Sequence, residues 1–105
     1  MIDTYSSRQI RLICTDERAC KRLRPDLVEK VKMRHNALEV ARDMSDLVAI
    51  DPGGRWHRLS GDRAGTWAGR LSKNFRMVVR PDAGGVSIIK TEETSVEVVE
   101  ITDYH

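Results

Sequence analysis

The hydrophobic pattern changes its period at Gly53-Gly54, and that change constrains the fold more than any other feature of the chain. Before it, Leu27, Val31, Leu38 and Ala41 recur at helical spacing, with Val28, Met33, Ala37, Val40 and Met44 widening the stripe and Glu29, Lys30, Lys32, Glu39 and Arg42 filling the wet side. Thr15 reads as the cap of an earlier helix, with Asp16 and Glu17 in its first turn and Lys21 and Arg22 in its last, the polarity that suits a helix dipole. Pro25 ends that segment and fits the first turn of the next. Ser45-Asp46, and then Asp51-Pro52-Gly53-Gly54, mark where helix gives way to loop. After Gly54 the period becomes two, in runs from Arg55 to Leu59, Thr66 to Leu71, Arg76 to Arg80, Val86 to Lys90 and Val96 to Thr102, separated by turn residues. Helices first and strands afterwards predict an α+β fold: helices within residues 7–47 packed on one face of a C-terminal antiparallel sheet built from residues 55–102.

A chain of 105 residues is the size of one domain, so residues 1–105 are read as a single unit. With 40% hydrophobic and 32% charged residues it has enough apolar material for a core and too much charge for a disordered or membrane chain. No apolar run approaches the roughly 20 residues of a membrane helix. The start, Met1-Ile2-Asp3-Thr4-Tyr5, lacks the basic and apolar stretches of a secretory signal, so a cytoplasmic protein is expected. Cys14 and Cys20 have no His or Cys beside them at metal-finger spacing and are read as reduced packing residues; neither a metal nor an organic cofactor is expected.

The net charge of +2 conceals an uneven distribution. Residues 1–54 hold ten basic against nine acidic residues, residues 55–80 seven against the single Asp62, and residues 81–105 Lys90 alone against six acids. In the run from Thr66 to Leu71, Trp67, Gly69 and Leu71 share one face and Thr66, Ala68 and Arg70 the other; Met77 and Val79 likewise oppose Arg76, Val78 and Arg80. Arg70, Arg76 and Arg80, with Lys73 in the turn between, are therefore expected on the side away from the core, a grouping that can grip phosphate oxygens. The alternative is an ordinary solvated surface whose arginines pair with the acidic tail.

Arg55-Trp56-His57-Arg58-Leu59-Ser60-Gly61-Asp62-Arg63-Ala64-Gly65-Thr66-Trp67 resembles the H-x-L-x-G-D-R-x-G-x-W signature of HigB-type toxins in the RelE/ParE superfamily. Asn74-Phe75-Arg76-Met77-Val78-Val79 is similar to that family's N-W-R-I-x-F strand, Glu100-Ile101-Thr102-Asp103-Tyr104-His105 to its terminal E-x-x-D-Y-H, and the stretch from Arg34 to Leu47 to its preceding helix. Residues 83–94 look like an insertion relative to short members. The resemblance implies a RelE-like fold and the toxin of a type II toxin–antitoxin pair. Such a toxin is a ribosome-dependent endoribonuclease that cleaves mRNA without a metal and is held inactive by a HigA-like antitoxin. The antitoxin carries the DNA-binding element, so no direct DNA binding is expected of this chain.

Metal-free RNA cleavage needs a group to help deprotonate the ribose 2′-hydroxyl, positive charge around the crowded phosphorus, and an acid for the departing 5′-oxygen. The resemblance implies that His105 is the catalytic imidazole, that Tyr104 stacks on or positions substrate, and that Arg76 stabilises the phosphate. Arg70, Lys73, Arg63 and Arg80 are the candidate phosphate-binding set around them. Ser60 and Ser72 stand where relatives carry basic residues. Two rivals remain: a gyrase-poisoning toxin on the same fold, which needs no terminal acid–base group, and a catalytically inactive RelE-fold binding module. Within the signature, Gly61, Asp62 and Gly65 are read as turn-shaping, with Asp62 accepting backbone hydrogen bonds, and His57 as a hydrogen-bonded structural residue. Trp56, Trp67 and Phe75 are read as core or partner contacts, and His35 as a surface or partly buried helix residue.

Overall fold

The computed structural model describes residues 1–81 and 96–103. The run from Val86 to Lys90, residues 83–94, and Tyr104 and His105 lie outside them. Four helices and five strands are present among the described residues: β1 (Ile2–Tyr5), α1 (Arg8–Thr15), α2 (Glu17–Leu23), α3 (Val28–Val40), α4 (Met44–Ile50), β2 (His57–Arg58), β3 (Trp67–Arg70), β4 (Arg76–Pro81) and β5 (Val96–Thr102). The α+β order expected from the change of period is found, and between Arg55 and Arg80 the only helical turn is a short 3-10 segment, Gly61–Arg63.

Local side chains set the helix ends. Ser7 caps α1 by accepting from the Ile10 amide at 3.1 Å. The next cap falls one residue later than the sequence implied: Thr15 closes α1, its hydroxyl donating to the Arg11 carbonyl at 2.6 Å, and Asp16 caps α2 by accepting from Ala19 N at 3.2 Å. A carboxylate is the better acceptor for an unsatisfied amide, so the acid takes the cap and the threonine bonds back along its own helix. Pro25 opens a 3-10 turn, Pro25–Leu27, that leads into α3. That helix does not run on to Met44. It stops at Val40, and Ser45 and Asp46, read as the start of a loop, lie in the first turn of α4. The break is made by reciprocal capping, with Asp43 accepting from Asp46 N at 2.7 Å while the Asp46 carboxylate accepts from Arg42 N at 3.0 Å.

The strand order is β1-β5-β4-β3-β2. β2 to β5 pair antiparallel as expected, but β1 adds a parallel edge, Ile2 beside Val96 and Tyr5 beside Val98, so the sheet is mixed. No alternation in Met1–Tyr5 announces a strand; the exposed edge of β5 supplies the ladder, and the N-terminal ammonium is held by the Leu38 carbonyl at 2.8 Å. The helices pack on one face of the sheet. Leu27, Val31, Leu38, Met44 and Leu47 meet Leu71, Met77, Val79, Val96, Val98 and Ile101, which confirms the strand parity for β3 and β4. A fully buried side chain of this size contributes roughly 1.5–3 kcal/mol. No helix among the described residues is long and apolar enough to cross a membrane.

Candidate functional site

The face of the sheet turned away from the helices carries the described candidate residues of β3 and β4. The antiparallel register sets Arg70, Arg76 and Thr102 side by side across β3, β4 and β5, one row beyond Ala68, Val78 and Glu100. The turn between β3 and β4 holds Lys73 next to this row. That turn is tightly built. Leu71 N and Ser72 N both donate to the Phe75 carbonyl, at 3.0 and 3.2 Å, and Ser72 Oγ accepts from Asn74 N and Phe75 N at 3.3 and 3.1 Å. Ser72 is thus a turn-forming hydroxyl. Arg76 closes the turn from above: one of its terminal nitrogens donates to the Ser72 carbonyl at 2.7 Å and the Phe75 carbonyl at 2.9 Å. The Arg24 guanidinium lies 4.7 Å over the Phe75 ring and anchors the same turn to the helical layer.

The four arginines of the candidate set do not share one environment. Arg63 is ion-paired with Glu100, and Arg80 with Glu97 at 3.2 Å, both acids belonging to β5. Arg70 and Lys73, by contrast, have no hydrogen-bonding or ionic partner for their side chains among the described residues. Arg70 and Arg76 are directly cross-strand neighbours, and like charges in that relation repel. The open face is therefore neutralised at one end and left positive at the other, and the positive end is where β5 finishes at Thr102, opposite Arg76. Tyr104 and His105 follow in sequence outside the described residues.

Most of the tryptophan-ended signature turns out to be architecture. Leu59 is buried against Ala68 and Val78, a small second cluster on this face. Gly61 and Gly65 have φ of +64° and +89°, a region that favours glycine. Asp62 accepts none of the turn's amides; the carbonyls of Ser60, Gly61 and Arg63 receive Arg63 N, Ala64 N and Thr66 N instead, and Asp62 stays exposed. The His57 ring is exposed and donates through Nδ1 to the Arg55 carbonyl at 2.9 Å. Trp67 carries the Arg58 guanidinium 4.7 Å above its ring.

Two buried polar groupings escaped the sequence reading. Arg34 is 2% exposed and Asp51 9%; the arginine donates to Asp51 Oδ1 at 2.9 Å, to the Gly53 carbonyl at 2.9 Å and to the Arg70 carbonyl at 2.7 Å, while Asp51 Oδ2 accepts from Trp56 Nε1 at 2.9 Å. His35, 5% exposed, bonds the Tyr5 hydroxyl at 2.8 Å through Nε2 and faces Glu39 at 3.0 Å through Nδ1. Burial pushes the His35 pKa down, with Glu39 pulling in the other direction. The signal was available in the spacing: positions 31, 34, 35 and 38 form one helical face, and Arg34 and His35 sit on it between Val31 and Leu38. In a neighbouring cavity of about 250 Å³ among α1, α2 and α3, burial drives the Cys14 thiol up to about 12, so it stays protonated and unreactive. Among the described residues no group of three or more His, Cys, Asp or Glu could hold a metal ion.

No protein-family model matches this chain, and no curated protein does. Among solved structures, the YoeB/ParE toxin from Agrobacterium tumefaciens aligns at 22% identity over 86% of this chain and 87% of that one, with a TM-score of 0.46.

Proposed function

We propose that this chain is a single-domain RelE-like toxin of a type II toxin–antitoxin pair, a ribosome-dependent endoribonuclease that cleaves mRNA and so stalls translation. The observation that carries the reading is the row of Arg70 and Arg76, with Lys73 at its edge, left positive at the end of the sheet where β5 stops. The tether from Thr102, the strand partner of Arg76, to the imidazole of His105 is three residues long. The signature and terminal motifs quoted above supply the toxin, the ribosome and a HigA-like antitoxin as partner; the ribosome sets the cytoplasm as the place of action.

The chemistry follows from the residue types. His105 takes the proton of the 2′-hydroxyl or delivers one to the departing 5′-oxygen, a task suited to a group that titrates near neutral pH. The 2′-oxygen forms a bond to phosphorus as the bond to the 5′-oxygen breaks, leaving a cyclic phosphate and a free 5′-hydroxyl. Arg76 and Arg70 stabilise the charge that builds on the non-bridging oxygens, Tyr104 holds the adjacent base, and Lys73 meets a flanking phosphate, while Arg63 and Arg80 stay paired with Glu100 and Glu97. No step requires a metal.

Purified protein incubated with translating ribosomes should create new 5′ ends within the message, and His105→Ala should lower that rate by about 10²–10⁴-fold with an unchanged melting temperature. A folded wild-type protein that makes no new ends, or a His105→Ala variant that cuts at the wild-type rate, would overturn the reading; linear DNA trapped from gyrase would replace it with the poison.

A further inference from the structure

We infer that Arg34 is a positioning residue for the proposed phosphate site, holding Arg70 from the helical side of the sheet through its backbone while touching no substrate itself. The inference rests on the reading of Arg70 as a phosphate ligand.

A guanidinium buried at 2% exposure is costly unless each of its nitrogens finds an acceptor and the charge is matched. Arg34 meets both conditions: Nε reaches the Arg70 carbonyl, Nη1 reaches Asp51, and Nη2 reaches the Gly53 carbonyl. These three partners lie on the last residue of β3 and on the loop after α4, so one planar fork on α3 ties together three parts of the chain. The adjoining residue is pinned as well. Trp56, oriented by its bond to Asp51, covers Gly69 so closely that a Cβ there would stand 2.6 Å from the indole ring.

Stability alone does not account for this arrangement, because replacing a buried ion pair by apolar groups of similar volume is often neutral or favourable. What the fork provides and a leucine would not is a directional hold on the backbone of Arg70. That matters because the Arg70 side chain, on the opposite face, has no described partner to orient it. With residues 69 and 70 clamped from behind, only the side-chain torsions of Arg70 remain to be settled when a phosphate arrives beside Arg76.

The test compares three variants in ribosome-dependent cleavage and in salt-dependent binding of a single-stranded RNA oligonucleotide. Arg34→Met/Asp51→Asn removes the charge pair and leaves an amide oxygen for Trp56. Arg34→Lys keeps the charge and loses the fork. Arg70→Ala removes the ligand. The double variant is expected to melt below the wild-type temperature, because the Arg70 and Gly53 carbonyls lose their donor, to keep the wild-type salt slope, since the number of phosphate-binding cations is unchanged, and to lose about 10- to 100-fold in kcat at temperatures where it is folded. Arg34→Lys should show a smaller loss of the same kind, and Arg70→Ala a loss in both kcat and salt slope. Wild-type kcat in a folded Arg34→Met/Asp51→Asn or Arg34→Lys protein overturns the inference while leaving the site intact if Arg70→Ala is impaired. Wild-type behaviour of Arg70→Ala removes the phosphate site itself, and the inference with it. Should the double variant not fold, Arg34→Lys decides; if neither folds, Arg34 is structural and the inference falls.

Discussion

The two ends of the open sheet face contain the same side chain in opposite electrostatic settings. At one end Arg63 and Arg80 face Glu100 and Glu97 of β5; at the other Arg70 and Arg76 face each other, with Thr102 as the neighbour from β5. Within β5 the acids are Glu97 and Glu100, which pair with Arg80 and Arg63, while Thr102 stands beside Arg76 and the exposed Asp103 follows the strand with no ion pair among the described residues. Net charge is blind to this difference. A phosphate backbone is not, because it is drawn to charge that has not already been matched, and of the two ends the second is the one whose basic side chains have no acidic partner among the described residues.

Replacing the two ends separately should have unequal effects, the largest at Arg76. Arg76→Ala removes charge from the proposed reaction centre and also releases the carbonyls of Ser72 and Phe75 that shape the turn carrying Lys73. Cleavage is expected to fall about 10²–10³-fold, against a change of less than roughly threefold for Arg80→Ala, whose charge is already matched. Equal losses in the two variants, measured by single-turnover cleavage, would erase the distinction between the ends.

A second contrast uses salt. Arg70→Ala/Lys73→Ala should lower the slope of log affinity against log salt for single-stranded RNA by about 1.4, roughly 0.7 for each phosphate no longer neutralised. Arg63→Ala/Arg80→Ala should leave the slope close to wild type. The reverse ranking would assign RNA binding to the paired end.

Stability should answer to residues on the other side of the sheet. His35, held between Tyr5 and Glu39, has its pKa pushed below the ordinary 6.5 by burial. The unfolded chain therefore binds the proton first as pH falls, and the slope of stability with pH is positive in that window. The His35 contribution is complete above about pH 6.5 and declines as pH drops from there toward the folded-state pKa. Urea melts between pH 7.5 and 5 should show that decline, and His35→Gln should flatten it while Arg70→Ala does not; a decline that survives His35→Gln would place its origin elsewhere.

The smallest effect belongs to the pairs themselves. Arg63 and Glu100 are each about one-third exposed, so a double-mutant cycle is expected to give only about 0.2–1 kcal/mol. A coupling well above that would make the neutralised end a structural clamp rather than a matched surface.

The change of hydrophobic period, together with the parity of Thr66–Leu71 and Arg76–Arg80, determined by itself that helices precede a sheet and that Arg70 and Arg76 leave the core on the same side. Those are local properties, because side-chain direction along a strand follows from backbone geometry within a few residues. The helix boundaries were legible to within a few positions and failed where an aspartate took the cap, Asp16 in place of Thr15 and Asp43 within a stretch read as continuous helix. The remaining features depend on partners distant in the chain. β1 became a strand because β5 offered an edge, 94 residues away for Ile2 and Val96; Arg63 and Arg80 were neutralised because the register of β5 set Glu100 and Glu97 beside them. Arg34, polar on a buried helical face, acquired its role only when the loop after α4 and the end of β3 closed around its guanidinium. A residue's sequence states what it is able to donate, accept or repel, and the fold determines which of those capacities are already satisfied and which remain for a ligand.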